Sequence, residues 1–579
     1  MCGIVGYIGY QNAANVCMEG LLRLEYRGYD SFGIAAVSPE ITLFKETGKI
    51  SAAKDAVNLK GTCGIGHTRW ATHGVPSKTN AHPFTDCTGK IAVVHNGIIE
   101  NYAELKRELQ NRGHTFVSET DTEVIPHLIE EQYAGNLREA VSKILPLLEG
   151  AYAILVIAEG TQEIVAARMG SPLALGIGDN EYVFASDGLP ILDYTRSVVY
   201  LEDGDLAEVT PAGYRIYHDG EEIVRKVSTL EWDAADVRKG GFAHYMLKEM
   251  FEQPEVFSNT VNSIAENPSP LCRLRDARSV TIVACGTSAN ASNVFAYLME
   301  TVCEIPTRVV LASEFKYYPT PKNDVVIAVS QSGETADTIY ALKIAREKGA
   351  KTFCLTNVLG SSLTRVSETT LYTRAGPEVS VAATKSFTAQ VAAFMEIVNI
   401  ISGGKLEGAV VEIQRYLPEV LDCDVDKAVE LVKDASTLLY VGRGLSYPIA
   451  LEGALKMKEI SYIHAEGYAA GELKHGPFAL LSEKTPVVAV CLSGITYPVM
   501  MSNLKEIKAR SAPEVVIGEI RDIDAEEIAD VYLPIPKVSE TAGVILASVV
   551  LQMLAYKTAV ALDTDVDMPR NLAKSVTVE

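Results

Sequence analysis

Cys2 follows the initiator methionine and could act as a nucleophile whose base is its own α-amine. Removal of Met1 is favoured because cysteine is small, and it would leave a thiol and a free amine on one residue. An α-amine has a pKa near ~8, so it can accept a proton at neutral pH, and N-terminal nucleophiles of this kind occur in enzymes. The competing interpretation is a buried cysteine that packs as a small hydrophobic side chain.

Polar residues further along the first part of the chain could complete a site around this thiol. Arg69 could hold a carboxylate through two hydrogen bonds, and Trp70 beside it could wall a cavity. Asn96 and Gly97 follow an apolar run, and their N–H groups could form an oxyanion hole. Asp121 could bind the amine of an amino acid. Each residue also has a structural interpretation, as part of a surface loop, an Asn-Gly turn or a helix cap.

Two turns in the second part of the chain could hold an anion. Ser330–Thr335 (SQSGET) and Cys285–Ser288 (CGTS) each end a predicted strand and begin a predicted helix. Hydroxyls and backbone N–H groups at such a turn bind phosphate without positively charged side chains, although ordinary helix capping explains each turn taken alone. Both lie at strand ends of one predicted parallel sheet, which favours a phosphate site.

A helical segment further on carries charged residues on one face. Glu452, Lys456 and Glu459 are spaced three or four residues apart, which predicts either an acid–base cluster or a solvated ladder of salt bridges. His475 lies in a turn bounded by Gly and Pro, where a lone histidine is usually unremarkable. The C-terminal segment that contains Lys574 has no low-complexity character, which favours a docked tail.

The pattern of predicted elements divides the chain in two. Residues 2–220 show short strands mixed with amphipathic helices, which predicts an α+β fold with antiparallel sheets. After a charged stretch at 221–245, strands alternate with helices, which predicts parallel sheets. This second part is also duplicated, because Val280–Ser288 and Val325–Thr335 have counterparts in Leu438–Ser446 and Pro486–Thr496. The second copy keeps only a Ser-Gly pair of the hydroxyl-rich turn, so we expect one phosphate site per chain.

Composition limits the class of protein. The net charge of −22 argues against nucleic acid and anionic membranes as partners. The ten cysteines include no CxxC pair, so we expect neither a structural zinc site nor a disulfide framework. We see no signal peptide and no apolar run that approaches the ~20 residues of a membrane span. These features predict a cytoplasmic protein.

The segments CGIVG from Cys2, YRGYDS from Tyr26, HTRWATHG from His67, HNG from His95 and SETDT from Ser118 resemble the N-terminal-nucleophile glutamine amidotransferases. The resemblance implies that Cys2 attacks the glutamine amide and that Asn96 and Gly97 form the oxyanion hole. It further implies that glutamine is bound by Arg69, Trp70, Thr72, His73 and Asp121. The implied fold is an N-terminal-nucleophile hydrolase domain, with stacked antiparallel sheets between helices.

The second part resembles a pair of sugar isomerase (SIS) domains, which implies two α/β domains with flavodoxin- or Rossmann-like parallel sheets. We expect these domains at 246–415 and 425–565, with a tail at 566–579 that completes the active site. The resemblance implies a sugar-phosphate site formed by Cys285, Gly286, Thr287, Ser288, Ser330, Gln331, Ser332, Thr335, Val381, Ala382, Glu452 and Ala573.

In this order the two parts resemble the family of isomerizing glutamine–fructose-6-phosphate aminotransferases. The family implies a Schiff base on Lys574, proton transfer between C1 and C2 by Glu459 and ring opening by His475 from the partner subunit of a homodimer. Lys456 would assist the proton transfer, and no metal or redox cofactor is implied. L-glutamine and fructose 6-phosphate would be the substrates.

The same family implies a channel that carries ammonia between two sites. Trp70 would gate it, and Arg27 and Tyr29 would belong to a loop that closes over glutamine. Two residues depart from the family pattern: Phe32 stands where a small residue is usual, and Met568 where Gln is usual.

Other enzymes of the amidotransferase class fit the second part less well. A phosphoribosyl-pyrophosphate enzyme needs paired acidic residues before a Thr-rich turn, and an asparagine synthetase needs Ser-Gly-Gly before Asp-Ser, whereas Ser402-Gly403-Gly404 precedes Lys405. A non-catalytic sugar-phosphate sensor would be expected to lack catalytic groups. Cys2, Glu459, His475 and Lys574 are all present.

Overall fold

The computed structural model describes residues 2–53, 56–70, 74–230, 239–319 and 324–576. These residues form two compact units, which are described separately. The first unit contains residues 2–230 together with 573–576, and the second contains residues 239–572.

Two antiparallel sheets form the first unit. The eight-stranded sheet has the order β15-β11-β9-β10-β1-β4-β2-β3, and the seven-stranded sheet has the order β14-β13-β12-β8-β7-β6-β5. The strands are β1 Gly3–Ile8, β2 Ser31–Ser38, β3 Glu40–Thr47, β4 Cys63–Arg69, β5 Phe84–Thr85, β6 Ile91–Ile99, β7 Gly150–Ala158, β8 Ile164–Met169, β9 Ala174–Ile177, β10 Tyr182–Ala185, β11 Ser197–Tyr200, β12 Asp205–Thr210, β13 Gly213–His218, β14 Glu221–Ile223 and β15 Ser228–Thr229. The helices are α1 Ala13–Arg23, α2 Tyr102–Asn111, α3 Val124–Gln132 and α4 Leu137–Ile144.

The sheets stack face to face with helices on both outer sides. Ile4 and Phe184 of the eight-stranded sheet pack against Ala92 and Leu155 of the seven-stranded sheet in one buried cluster. The second face of the seven-stranded sheet packs on α2, α3 and α4, and α1 lies on the outer face of the eight-stranded sheet, where the Cys17 thiol reaches the Val5 carbonyl. The alternation of inward-facing side chains along each strand produces this layering. The predicted sandwich of antiparallel sheets between helices is confirmed.

The second unit contains two parallel sheets of five strands each. The two sheets have the same topology, with the strand orders β17-β16-β18-β19-β20 and β22-β21-β23-β24-β25. In each sheet the strand that comes first in the sequence lies second in this order. The strands are β16 Val280–Ala284, β17 Thr307–Leu311, β18 Val325–Val329, β19 Lys351–Thr356, β20 Thr369–Tyr372, β21 Thr437–Gly442, β22 His464–Ala469, β23 Val487–Val490, β24 Glu514–Glu519 and β25 Val531–Ile535. The predicted duplication is therefore present in the fold.

Helices cover both faces of these sheets, as buried parallel strands require. They are α5 Tyr245–Phe251, α6 Gln253–Glu266, α7 Cys272–Arg275, α8 Gly286–Val302, α9 Ala336–Glu347, α10 Ser362–Val366, α11 Lys385–Ser402, α12 Glu407–Val420, α13 Asp426–Val432, α14 Ser446–Ser461, α15 Tyr497–Lys508, α16 Ile523–Ile528 and α17 Glu540–Ala561. One hydrophobic cluster joins the two copies and includes Phe295, Phe394, Tyr440 and Leu551.

Helix α17 corrects the expectation that no apolar segment approaches the length of a membrane span. Among the described residues it alone is long and apolar enough to cross a membrane, with a mean hydropathy of 1.8. Its most apolar stretch is 83% buried inside the protein, and its side chains belong to the core shared by the two copies. It is apolar on all sides because protein surrounds it.

The exact limits of the predicted domains stay predictions. Part of the stretch 221–245 falls on residues 231–238, which lie outside the described residues.

The burial of α17 leads to a stability prediction with a matched control. Val549 is fully buried, whereas Val560 is 44% exposed in the same helix. We expect Val549→Ala to lower the free energy of unfolding by roughly 2 kcal/mol, because it removes buried methyl groups and leaves a cavity. Val560→Ala should change it by less than about 0.5 kcal/mol. Calorimetric unfolding of the full chain measures both, and equal effects would contradict the packing described.

Candidate active sites

Cys2 lies at the start of β1, in the middle of the eight-stranded sheet. Strand β1 pairs with β10 on one side and β4 on the other, and β4 leads directly to Trp70. The Trp70 N–H donates to the Cys2 Sγ at 3.3 Å, and this sulfur lies 3.6 Å from the Trp70 carbonyl oxygen. Burial raises the pKa of the Cys2 thiol, while the Trp70 N–H and the nearby Arg69 charge act in the opposite direction. The thiol therefore depends on a neighbouring base for activation.

The predicted oxyanion residues lie beside Cys2. The Asn96 Nδ2 donates to the Cys2 carbonyl at 3.0 Å. Gly97 has φ of 134°, and a side chain there would collide with the Ala151 carbonyl oxygen, so glycine is required by both conformation and space. Asn96 has a further amide hydrogen, so it can serve as a donor to an oxyanion.

Buried histidines hold Asn96 in place. The His67 Nε2 lies 3.1 Å from Asn96 Oδ1 and 2.9 Å from the His95 carbonyl oxygen. Because both partners are acceptors, Nε2 must carry the proton. The His67 ring stacks on His82 at 3.8 Å, and His82 Nδ1 accepts the His95 N–H at 3.2 Å.

These three histidines are neutral. Burial lowers the pKa of His67 to about 3 and lowers the pKa values of His82 and His95, and their mutual proximity lowers those of His67 and His82 further. The predicted oxyanion site is thus surrounded by fixed dipoles rather than by an imidazolium charge. Sequence reasoning missed that His82 supports His67 and His95. The residues next to His82 in the sequence give no sign of these contacts.

Arg69 and Asp121, the predicted ligands of the amino acid, are both buried. The Arg69 Nη2 donates to the Gly74 carbonyl at 3.1 Å, and Asp121 Oδ2 accepts the Ile99 N–H at 2.8 Å. Both charges act on the Cys2 thiol, so the structure brings them near the nucleophile. The predicted ligands Thr72 and His73 lie outside the described residues.

The predicted glutamine loop is anchored next to the nucleophile. Arg27 forms an ion pair with Asp187 at 2.6 Å and donates to the Ser186 carbonyl at 3.2 Å. The Ser186 Oγ accepts the Ile4 N–H at 3.1 Å, which ties this anchor to β1. Sequence reasoning did not single out Asp187 or Ser186.

The two aromatic residues of the predicted channel and loop touch each other. Tyr29 packs edge-on against Trp70, with ring centroids 5.7 Å apart. The departure at Phe32 is accommodated in β2, where the side chain is fully buried and lies 6.0 Å from the Phe44 ring.

The hydroxyl-rich turn of the first parallel sheet is pre-formed. It joins β18 to α9. Ser330 Oγ lies 2.9 Å from Thr335 Oγ1 and accepts the Gly333 N–H at 3.1 Å, while Ser332 Oγ accepts the Glu334 N–H at 3.2 Å. The turn also carries Gln331, whose carbonyl accepts the Asn357 N–H at 3.0 Å. Its hydroxyls lie at the N-terminus of α9, where an anion is stabilised.

The second predicted turn joins β16 to α8 in the same sheet. Gly286 has φ of 51°, and Cys285 is half-buried beside it. Ser288 Oγ accepts a hydrogen bond from Gln390 at 2.9 Å. Since β16 and β18 are adjacent parallel strands, the two turns lie at the same edge of the sheet.

The corresponding turn of the second copy already contacts a carboxylate. The Ser493 Oγ donates to Glu519 at 2.8 Å, and the Ser493 N–H donates to the same side chain at 3.3 Å. A negative side chain there opposes phosphate binding, which supports the expectation of one phosphate site per chain.

A buried charge cluster joins the two copies. Lys456 on α14 lies 2.6 Å from Glu459 and 3.4 Å from Glu452. It also donates to Thr287 Oγ1 on α8 at 3.0 Å, and Thr287 in turn donates to Glu452 at 3.0 Å. The interpretation as a solvated salt-bridge ladder is wrong, because Lys456 is 1% and Glu452 2% exposed.

Burial and charge set the protonation of this cluster. Burial alone would lower the pKa of Lys456, but the two glutamates raise it to about 12. Burial raises the pKa of Glu452, which Lys456 and Asn290 partly offset. Lys456 therefore stays protonated at neutral pH and can donate hydrogen bonds but cannot act as a base.

The remaining predicted sugar-site residues are distributed as follows. The Val381 N–H donates to the Asp567 carbonyl at 3.0 Å, which ties the loop containing buried Ala382 to the C-terminal segment.

The Met568 N–H donates to Asp565 at 2.9 Å. His475 ends a 3₁₀ turn with an exposed side chain. Ala573 and Lys574, both half-buried, belong to the first unit.

Comparisons with known proteins match these two units. The chain matches the SIS domain family over residues 273–400 and 431–562, and the glutamine amidotransferase domain family over residues 52–262. It is 45% identical to a glutamine–fructose-6-phosphate aminotransferase (isomerizing) of Thermus thermophilus and 46% identical to one of Aquifex aeolicus, in each case over 100% of both chains.

A solved structure is also similar to this chain over a length that corresponds to the second unit. The C-terminal domain of glucosamine-fructose-6-phosphate aminotransferase from Francisella tularensis matches with a TM-score of 0.53 and 34% identity, covering 57% of this chain and 99% of that one. Fold and sites together define a glutamine amidotransferase fused to a pair of sugar isomerase domains. More specifically, the chain belongs to the family of isomerizing glutamine–fructose-6-phosphate aminotransferases.

The position of Asn96 leads to a kinetic prediction. We expect Asn96→Ala to lower kcat for glutamine hydrolysis by about 10²–10³-fold, because one oxyanion donor is lost. Asn111→Ala, at the exposed end of α2, is the matched control and should leave the rate unchanged. Glutamate release by purified protein measures both, and a wild-type rate for Asn96→Ala would refute the assignment.

Proposed function

We propose that this chain converts L-glutamine and fructose 6-phosphate into L-glutamate and glucosamine 6-phosphate. The observation that carries the proposal is a pair of separate sites in one chain. In the first unit a thiol at a strand start lies beside Asn96 and within the electrostatic reach of Arg69 and Asp121. In the second unit a hydroxyl-rich phosphate turn accompanies a buried acid–base cluster.

In the glutamine half, the Cys2 thiol attacks the side-chain amide, and the Cys2 α-amine takes the thiol proton. Because burial raises the pKa of the thiol, this built-in base is needed for attack at neutral pH. Asn96 and Gly97 stabilise the oxyanion, Arg69 and Asp121 bind the α-carboxylate and α-amine, and ammonia leaves. Water then releases glutamate from the thioester.

Ammonia must reach the sugar without contacting bulk water, because ammonium has no lone pair and is not a nucleophile. We assign Trp70 and the residues Arg27 and Tyr29 to the gate and the closing loop. The edge-on contact between Tyr29 and Trp70 supports this assignment, since closure of a loop that carries Tyr29 can move Trp70 directly.

In the sugar half, the 6-phosphate binds to the turn of Ser330, Gln331, Ser332 and Thr335, next to Cys285–Ser288. Lys574 condenses with the C2 ketone to form an imine and releases water. Ammonia displaces the lysine, and Glu459 moves a proton from C1 to C2 to give the aldose. The Lys456 ammonium, 2.6 Å from Glu459, orients that carboxylate and compensates its charge.

We further propose a homodimer in which His475 of one subunit opens the sugar ring in its partner's site. The exposure of His475 supports this role, because the side chain is accessible to a second subunit. We place the enzyme in the cytoplasm, since all ten cysteines are free and α17 is mostly buried in the protein core.

Two substitutions should separate the half-reactions. Cys2→Ala should abolish both glutamate release and glucosamine 6-phosphate formation, whereas Lys574→Arg should retain glutamate release and lose the sugar product. Cys272→Ser and Lys433→Arg, at an exposed and a half-buried position far along the chain from either, are the controls. Product formed from glutamine by Cys2→Ala, or unchanged synthesis by Lys574→Arg, would refute the corresponding role.

The shared histidine can be tested by complementation. His475→Ala and Lys574→Arg should each be inactive in synthesis, but their co-expression should restore about a quarter of wild-type activity, since half of the dimers are mixed and contain one intact site. The control is the co-expression of two copies of His475→Ala that carry different tags. Absence of recovery despite isolated mixed dimers would show that His475 acts within its own subunit.

A further inference from the structure

Four side chains outside both proposed active sites converge on one point of the first unit. They are Cys87, in the turn between β5 and β6, His114, after α2, and His127 and Glu130 on α3. One sulfur, nitrogen or carboxylate oxygen from each lies within 4.8 Å of all the others. The two α3 residues are three positions apart, which places them on the same helix face.

The distances among these atoms match a tetrahedral metal site. Cys87 Sγ lies 3.5 Å from His114 Nδ1 and 3.5 Å from His127 Nδ1. Glu130 Oε2 lies 3.2 Å from the first of these nitrogens and 3.5 Å from the second. Zinc bonds of about 2.3 Å to sulfur and about 2.0–2.1 Å to nitrogen or oxygen, at tetrahedral angles, separate S and N by about 3.6 Å and N and O by about 3.3 Å.

The second nitrogen of each histidine faces a carboxylate. His114 Nε2 lies 3.4 Å from Glu131, and His127 Nε2 lies 3.9 Å from Glu123. A carboxylate behind a metal-bound imidazole fixes its tautomer, so that the other nitrogen presents a lone pair to the metal. Here both histidines would use Nδ1. The His114 Nε2 lies close to its carboxylate, whereas the His127 Nε2 makes no hydrogen bond to Glu123 at this distance.

The chemistry of the set selects the metal. One thiolate, two imidazoles and one carboxylate suit Zn²⁺, whereas Mg²⁺ and Ca²⁺ prefer sites made of oxygen ligands. The thiolate and the carboxylate together balance the charge of a divalent ion. Four protein ligands fill a tetrahedral shell, which is typical of structural rather than catalytic zinc.

We propose that Cys87, His114, His127 and Glu130 bind one zinc ion per chain. The ion would join the β5–β6 turn, the segment after α2 and the helix α3, which are far apart in sequence. Helix α3 starts close after Asp121, and Glu123 at its start accepts the Val117 and Ser118 N–H groups at 2.8 and 2.7 Å. The ion therefore stabilises the part of the first unit that carries Asp121.

This site differs from the expectation that the chain contains no structural zinc. That expectation rested on the absence of a CxxC pair, but these ligands are separated by 26, 12 and 2 intervening residues. The side chains meet only because the strands and helices of the first unit bring three segments together.

Metal analysis of the full-length protein tests the proposal. Protein purified and dialysed in zinc-containing buffer should retain one zinc per chain by elemental mass spectrometry. Cys87→Ser and His127→Gln should lose it, and Cys272→Ser, which removes a different exposed thiol, should retain it. Folding of each variant is checked by circular dichroism and by glutamate release.

Cobalt gives an independent readout of the ligands. Co²⁺ added to chelator-treated wild-type protein should produce the visible absorption of a tetrahedral site with a thiolate ligand, and this thiolate band should be absent in Cys87→Ser. Removing zinc should also lower the unfolding temperature of the wild type but not that of Cys87→Ser. Wild-type protein without retained metal, or folded Cys87→Ser with full zinc content, would overturn the proposal.

Discussion

The hydrogen bond from Asn96 to the Cys2 carbonyl is the contact on which the first unit's site depends. Cys2 directly precedes β1, and this hydrogen bond fixes its backbone from the side. Asn96 does this from β6, and His67 fixes Asn96 from β4. The stacked sheets exist in this register because apolar side chains fill the space between them, and that register decides which polar groups meet at Cys2.

Electrostatics in the two units differ in kind. The predicted glutamine site is surrounded by neutral histidines, because their burial lowers their pKa values, and fixed dipoles of this kind stabilise a charge where it develops. The sugar unit instead buries an ammonium between two carboxylates. Burying such a group is costly unless it is paired, and Thr287 and Asn290 complete the hydrogen bonds of Glu452.

The two copies of the parallel-sheet domain differ at the turn that the sequence predicts to bind phosphate. Both copies present a turn at the carboxyl end of the third strand of the repeat, β18 or β23, where ligands of such folds bind. In the first copy the turn offers hydroxyls, whereas in the second Glu519 bonds to the serine of the turn. The second copy instead contributes α14, whose Lys456 and Glu452 reach Thr287 of the first. The two copies thus differ in the polar groups that they present while sharing one core.

Local patterns in the sequence were enough to predict the class of each unit and the duplication, which the fold confirms, whereas the nucleophile, oxyanion and phosphate-turn assignments stay predictions. Periodicity and strand–turn–helix order depend on neighbours in the chain, and the residues of each segment are contiguous. What only the tertiary structure decided depends on residues distant in sequence. His82 under His67, Asp187 paired with Arg27, the burial of α17 and the meeting of Cys87, His114, His127 and Glu130 all follow from packing between segments. A one-dimensional pattern does not encode these distances, because they are set by how apolar faces pack and by which strands become neighbours.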